Sequence, residues 1–136
     1  MIKTVLDTNI FVSSFFGGNP RKIIDLWANG KLKLCLSRFI VDEYVEVLER
    51  LGLQNEQELK DLLNLLGKSE NIIFTSKVPT VNIVDQDPDD NKFIECALAL
   101  NAQYIISGDN HLISLQDYMG IKINTPKEFL DYYQFP

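Results

Sequence analysis

The sequence predicts a three-layer α/β/α sandwich with a central, mainly parallel sheet of five strands. Short apolar runs alternate along the chain with amphipathic stretches of helical period. Strands that alternate with helices form a parallel sheet whose two faces are covered by the helices. The 136 residues, of which 46% are hydrophobic and 24% charged, suit one globular domain over residues 1–136.

The first three elements are predicted from the residues that end them. A strand over residues 3–6 stops at Asp7, and a short helix over residues 9–16 follows it. The sequence Gly17-Gly18-Asn19-Pro20 is expected to end that helix, and a second helix is predicted over residues 21–28.

The middle of the chain is predicted to add two strands and two helices. A strand over residues 32–36 precedes Ser37, whose hydroxyl can cap a long helix that reaches about residue 51. The apolar residues of that helix fall on one face. A further helix over residues 56–66 and a third strand over residues 71–75 follow.

The last part of the chain is predicted to contain two strands and two helices. Asp87 is the expected N-cap of a helix that has Pro88 at its first position and reaches about residue 100. Strands are predicted over residues 104–107 and 121–124. Thr125-Pro126 then begins a terminal helix that reaches about residue 133.

Composition narrows the class of protein. No apolar stretch approaches the ~20 residues that span a bilayer. The acid at position 7 comes too early for a signal peptide, and we therefore expect a cytoplasmic protein. Cys35 and Cys96 lie in apolar surroundings without a Cys-x-x-Cys spacing, which predicts reduced core residues rather than a zinc site or a disulfide.

The charges are unevenly distributed. The net charge is −6. Residues 51–100 contain nine Asp/Glu and four Lys/Arg, whereas residues 1–50 contain six Asp/Glu and seven Lys/Arg. Concentrated carboxylates either repel one another in solvent or hold a cation. The candidate phosphate-contacting cations, which scattered surface charge explains equally well, are Lys3, Arg21, Lys22, Lys31, Lys33 and Arg38.

Three acids from distant parts of the sequence are expected at one edge of the sheet. Asp7 ends the first strand, and Asp109 follows the fourth strand by one glycine. Asp90 lies in the first turn of the helix that precedes the fourth strand. Ligand sites of parallel sheets lie outside the carboxyl ends of the strands, which is where these three residues are predicted.

Asp90 and Glu43 each have two interpretations. On a helical wheel Asp90 lies within the apolar arc and Asp89 at its margin, and a carboxylate that faces the core is costly unless it is paired or metal-bound. Asp90 is equally well explained as a capping-box acid or as a response to the helix dipole. Glu43 lies at the boundary of the apolar stripe of its helix, where most glutamates are simply solvated.

Converging carboxylates suit a hard cation such as Mg²⁺ or Mn²⁺. Without a cation they repel one another and raise one another's pKa. A metal ion held in this way favours phosphodiester hydrolysis, because it polarises the phosphoryl oxygens and activates water. The single histidine, His111, is expected to lie in a loop rather than to act as a general base.

Four sequence motifs together resemble the PIN-domain family in order and spacing. They are Leu6-Asp7-Thr8-Asn9, Glu43 in a mid-chain helix, the run from Asp90 to Ala97, and Ser107-Gly108-Asp109. The closing Thr125-Pro126-Lys127-Glu128-Phe129-Leu130 is similar to the tail of bacterial and archaeal PIN-family toxins of toxin–antitoxin systems. The resemblance covers essentially the whole chain.

The resemblance implies a Mg²⁺- or Mn²⁺-dependent endoribonuclease that cleaves single-stranded RNA. It implies Asp7, Glu43, Asp90 and Asp109 as the metal-binding and catalytic acids, with Thr8, Asn9 and Ser107 in support. It further implies a homodimer and an antitoxin protein as partner. Arg21, Lys22 and Arg38 are the weaker substrate-binding candidates.

Three other functions compete with a ribonuclease toxin. A phosphoacceptor receiver domain would need an acid after the third strand and a Lys after the fifth, and the chain has Thr75-Ser76-Lys77 and Asn124-Thr125 there. A catalytically inactive PIN-like interaction module would show little metal-dependent stabilisation. A PIN nuclease of RNA processing would differ from a toxin in its partners rather than in its site.

Overall fold

Helices surround a six-stranded sheet in the computed structural model, which describes residues 1–53, 57, 60, 64, 71–84 and 88–133. The strands are β1 (Ile2–Leu6), β2 (Leu32–Ser37), β3 (Ile72–Thr75), β4 (Tyr104–Ile106), β5 (Asp117–Tyr118) and β6 (Ile121–Asn124). The α-helices of this part of the chain are α1 (Thr8–Ser13), α2 (Gly18–Ala28), α3 (Arg38–Arg50), α4 (Asn91–Leu100), α5 (Asn110–Ile113) and α6 (Pro126–Tyr132). Short 3₁₀ helices cover Ser14–Phe16 and Pro88–Asp90.

The strand order creates a crevice beside β1. The order across the sheet is β3-β2-β1-β4-β6-β5, and all neighbouring pairs are parallel except β5 with β6. The chain therefore moves outward from β1 to β3 and then returns to β4 on the other side of β1. Such a reversal opens a crevice at the carboxyl ends of the two central strands, and this is where parallel sheets bind ligands.

Both faces of the central strands are covered. Consecutive residues are buried in β1 at positions 4–6, in β2 at positions 34–36 and in β4 at positions 105 and 106. Consecutive strand residues point to opposite faces, so their common burial requires packing on both sides. The predicted α/β fold with a mainly parallel sheet is confirmed, and the five predicted strands are all present.

The sixth strand, β5, was not predicted. It contains two residues and joins β6 through a tight turn in which Met119 and Gly120 have φ values of 50° and 84°. Two consecutive residues with positive φ make the type of two-residue turn that suits antiparallel hairpins. A strand of two residues gives no periodic signal, and Gly120 was the one available sequence signal.

The predicted break between the first two helices was too long. The structure begins α2 at Gly18 rather than at residue 21, and the chain reverses at Gly17 and Gly18, whose φ values are 98° and 71°. Pro20 is the third residue of α2. Backbone N–H groups in the first turn of a helix have no partner within the helix, so a proline there costs no hydrogen bond.

The predicted caps that lie in the described residues are present. The Ser37 side chain accepts a hydrogen bond of 3.2 Å from the Ile40 N–H, and Thr125 forms a reciprocal capping box with Glu128. The helix predicted over residues 56–66 and the predicted N-cap Asp87 lie outside the described residues, apart from residues 57, 60 and 64, which are helical.

Both cysteines are reduced core residues, as predicted. Cys35 and Cys96 are free and fully buried. Burial raises the pKa of the Cys35 thiol to about 11 and that of the Cys96 thiol to about 12. Neither thiol is therefore ionised at neutral pH. Within the described residues, no helix has the length and apolar character that a membrane span requires.

Candidate active site

Asp7 lies at the carboxyl end of β1 and begins α1. It is only 4% exposed. One carboxylate oxygen accepts a hydrogen bond of 2.9 Å from the Ile10 N–H, and the other accepts one from the Ser107 hydroxyl. The backbone N–H of Asp7 donates to the Ile106 carbonyl at 3.0 Å. Asp7 therefore caps a helix and also joins the ends of β1 and β4.

Burial raises the pKa of Asp7 above its ordinary value of 3.8. The hydrogen bonds from Ser107 and from the Ile10 N–H oppose this shift, and the nearby charge of Asp109 adds to it. Desolvation is the largest cause because the charged carboxylate has lost most of its contact with water. A cation bound beside Asp7 would relieve the cost of keeping it ionised.

Ser107 connects two of the predicted acids. Its hydroxyl is fully buried, donates to Asp7 and accepts a hydrogen bond of 2.9 Å from the Asp109 N–H. Asp109 in turn begins α5 by accepting a hydrogen bond of 2.7 Å from the His111 N–H. The expectation of a loop at His111 was wrong, because Asp109 caps a short helix that contains it.

The two adjacent acids Asp89 and Asp90 have different environments. Asp89 is exposed, whereas Asp90 is half-buried and its Oδ2 atom is fully shielded from solvent. Asp90 occupies the N-cap position of α4, but its side chain makes no capping hydrogen bond. The capping-box interpretation of Asp90 depends on Asp87, which lies outside the described residues, and it stays a prediction.

Three potential metal ligands lie close together. Asp90, Asp109 and His111 each present one ligand atom, and these atoms lie within 4.8 Å of one another. Among the described residues, this group of three contains two of the four predicted acids. Carboxylate oxygens and an imidazole nitrogen are common protein ligands of divalent cations.

Glu43 is held by two neighbours. One carboxylate oxygen accepts a hydrogen bond from the Thr8 hydroxyl, and the other forms a hydrogen-bonded ion pair with the Lys92 ammonium. The Lys92 side chain is only 16% exposed, so this pair is partly removed from water. Glu43 is therefore oriented by residues of α1 and α4 rather than freely solvated.

Lys92 was not predicted as a site residue, although its place in the first turn of a helix was a signal in the sequence. Lys92 is the second residue of α4, and a cation in the first turn of a helix is opposed by the helix dipole. A lysine at such a position needs an anionic partner, and Glu43 supplies it. The sequence alone does not reveal which acid lies opposite.

Packing between α1 and α3 positions the acids. The ring of Phe11 in α1 stacks on the ring of Tyr44 in α3, with ring centres 4.1 Å apart. The Tyr44 hydroxyl donates a hydrogen bond to the Leu6 carbonyl, immediately before Asp7. Burial keeps the pKa of Tyr44 well above its ordinary value, so this hydroxyl retains its proton. These contacts hold Glu43 beside the end of β1.

All four predicted acids line one open cleft of about 970 Å³. Thr8 and Asn9 line it too. Its acidic lining residues are Asp7, Asp42, Glu43, Glu46, Asp89, Asp90, Glu95 and Asp109. Its cationic lining residues are Arg50, Lys77 and Lys92. An excess of acids repels a polyanion until cations bind.

The three predicted substrate-binding cations lie elsewhere. Arg21, Lys22 and Arg38 are exposed, and none of them lines the cleft. Arg21 forms an ion pair of 3.3 Å with Asp25 on its own helix. The cleft instead contains Arg50 at the end of α3 and Lys77 after β3, neither of which the sequence reasoning selected.

Comparison with known proteins gives two matches. A family model described as the PIN domain matches residues 3–111, a range that includes the four predicted acids Asp7, Glu43, Asp90 and Asp109. The chain is also 36% identical to an uncharacterized protein of the archaeon Methanocaldococcus jannaschii. That alignment covers 98% of this chain and 92% of the relative.

Proposed function

The chain belongs to the PIN-domain family, whose members are generally nucleases that use divalent metal ions, and from this we propose that it is a metal-dependent endoribonuclease that cleaves single-stranded RNA. The observation that supports the proposal most strongly is the cleft, in which Asp7, Glu43, Asp90 and Asp109 converge from separate elements. A structural role does not require four carboxylates at one strand edge.

Each proposed site residue has a defined task. Asp7, Asp90 and Asp109 would hold Mg²⁺ or Mn²⁺, and Glu43 would complete the set from α3. The bound metal supplies Lewis-acid chemistry that polarises a phosphoryl oxygen and lowers the pKa of water. Ser107 and Thr8 hold the carboxylates of Asp7 and Glu43 in fixed directions.

The cations of the cleft suit a phosphate backbone. Arg50 and Lys77 line the same cleft as the acids, where they would contact phosphates of the substrate. Asn9, at the start of α1, is exposed in the same lining and would contact the substrate or a metal-bound water. Contacts of this kind position RNA without reading its sequence.

We expect the purified protein to cleave labelled single-stranded RNA in Mn²⁺ or Mg²⁺ and to lose this activity in EDTA. The metal supplies the charge that the acidic cleft lacks. Gel analysis of the products would identify internal cleavage sites, and the Asp109→Asn variant would control for contaminating nucleases. Duplex RNA and single-stranded DNA of the same sequence should be cleaved more slowly. Cleavage that persists in EDTA would contradict the proposal.

We further propose that the protein is cytoplasmic and is the toxin of a toxin–antitoxin pair. The support is the likeness of the segment from Thr125 to Leu130 to the tail of PIN-family toxins. Expression of the wild type should arrest growth, and an adjacent short reading frame for a DNA-binding antitoxin should relieve the arrest. Growth arrest that Asp109→Asn does not relieve would contradict the toxin role and leave a nuclease of RNA processing or an inactive module.

We expect a homodimer in light scattering at micromolar concentration. The exposed aromatic side chains include Tyr132, which is 74% exposed at the end of α6, and Phe16, which is 72% exposed. Two other aromatic residues of the C-terminus give less support to a dimer, because Phe129 is fully buried and Tyr133 stacks on it. Phe135 lies outside the described residues. A mass of about one chain would contradict the dimer.

A further inference from the structure

His111 lies beside the proposed metal site but is not one of the four acids predicted to form it. One ring nitrogen lies within 4.8 Å of ligand atoms of both Asp90 and Asp109. Its Nδ1 atom is 3.6 Å from Asp109 Oδ1, and its side chain is 43% exposed. The imidazole therefore faces the cluster while keeping access to solvent and to ions.

A hydrogen bond holds the Asp109 carboxylate beside the backbone of His111. The Asp109 carboxylate accepts the His111 N–H at 2.7 Å and thereby begins α5. Asp90 comes to the same point from a different element, the 3₁₀ helix that precedes α4. An ion pair with Asp109 alone would not require Asp90 to lie within reach of the imidazole.

The spacing suits one metal ion. Bonds of roughly 2.0–2.2 Å to nitrogen and oxygen place two ligands of one ion up to about 4.4 Å apart. The three ligand atoms, all within 4.8 Å of one another, need only small side-chain rotations to reach that spacing. The set differs from an all-carboxylate site because it contains one nitrogen donor.

We propose that His111 is a nitrogen ligand of the metal site and gives it a preference for Mn²⁺ over Mg²⁺. This inference rests on the proposed function, since it assumes that Asp90 and Asp109 hold a divalent cation. Mg²⁺ takes oxygen ligands and keeps much of its water, whereas Mn²⁺, as a first-row transition metal, accepts nitrogen as well as oxygen ligands. His111 therefore strengthens Mn²⁺ binding and contributes little to Mg²⁺ binding.

The chain offers a direct spectroscopic test, because His111 is its single histidine. Protein purified without a histidine tag would be loaded with Mn²⁺ and examined by pulsed electron paramagnetic resonance. An imidazole ¹⁴N coupling can then come only from His111. We expect this coupling in the wild type, its loss in His111→Gln, and its retention in the matched neighbour Asn110→Ala.

Binding constants give a second readout that does not depend on activity. In calorimetric titrations, His111→Gln should weaken Mn²⁺ binding about tenfold and Mg²⁺ binding less than about twofold. Asn110→Ala should change neither. His111 is exposed, so the variant should fold normally, and thermal melting without metal checks this.

The outcomes separate this inference from the proposed function. Mn²⁺ binding that is lost in Asp109→Asn but shows no imidazole coupling in the wild type would overturn the role of His111 and leave the acidic site intact. Equal weakening of Mn²⁺ and Mg²⁺ binding in His111→Gln would also overturn it, because His111 would then act only by orienting Asp109. Failure of the wild type to bind either ion would overturn the metal site itself.

Discussion

Asp90→Asn is expected to slow the cleavage of single-stranded RNA by at least about 10²-fold, on the order of 3 kcal/mol of transition-state stabilisation. Asp89→Asn should retain most of the wild-type rate. Single-turnover rates at saturating Mn²⁺ or Mg²⁺ measure the difference, because they report the chemical step rather than product release. Thermal melting of both variants shows whether they are folded.

The comparison of these two variants shows whether Asp90 acts as a metal ligand or only through the general negative charge of the cleft. Both acids line the same cleft, and each variant removes one negative charge at a similar place. A diffuse electrostatic effect would therefore change both rates alike. Only Asp90 lies within 4.8 Å of the ligand atoms of Asp109 and His111, and only Asp90 is half-buried.

Two results would contradict the assignment of Asp90. An equal loss of cleavage rate in the two variants would mean that Asp89 and Asp90 act only through their negative charge at the cleft. Full activity in Asp90→Asn would mean that the residue is structural, since asparagine can still accept a hydrogen bond at a helix start. At metal concentrations that saturate the wild type, a reduced rate that additional metal partly restores would support a ligand role, because a higher metal concentration compensates for weaker binding.

The sequence was sufficient to predict the residues whose position depends on topology. Asp7 and Asp109 follow strands β1 and β4, and parallel strands present their carboxyl ends at one edge. Helical periodicity also indicated the difference between Asp90 and Asp89, which the structure shows as half-buried and exposed. The strand that a residue follows and the helix face that it occupies depend on the local sequence, so a single sequence reveals them.

The contacts between elements could not be predicted in the same way. Glu43 is held by Thr8 of α1 and Lys92 of α4, and this depends on how three helices pack. Periodicity gives the direction of a side chain around its own helix but not the height at which another helix crosses it. For the same reason, the cationic residues of the cleft were sought among Arg21, Lys22 and Arg38, none of which lines it.

Asp7→Asn is expected to reduce RNA cleavage by at least about 10²-fold, on the order of 3 kcal/mol, and to raise the melting temperature of the metal-free protein. The loss of activity and the gain in stability have the same cause, which is the buried negative charge of Asp7. Burial raises the pKa of Asp7, and the charge of Asp109 raises it further, so the ionised carboxylate destabilises the metal-free fold. Asparagine removes that charge but also removes a proposed metal ligand.

The pH dependence of this variant follows from the direction of the pKa shift. The folded protein binds the Asp7 proton more tightly than the unfolded chain, so stability from this group rises as the pH falls through the raised pKa. The gain is complete below the ordinary value of 3.8 and is lost as the pH rises toward neutrality. In EDTA, the advantage of Asp7→Asn over the wild type should therefore be largest near neutral pH and shrink on acidification.

Metal binding should reverse the order of stability. Under the proposed function, Mn²⁺ or Mg²⁺ binds the folded protein and not the unfolded chain, so it should raise the melting temperature of the wild type, and Asp7→Asn should gain much less. Asp42→Asn is the matched control, because Asp42 lines the same cleft on α3 but is exposed. It should keep both the wild-type activity and the wild-type metal response. An unchanged metal response in Asp7→Asn would remove Asp7 from the site, and an absent response in the wild type would favour an inactive interaction module over an enzyme.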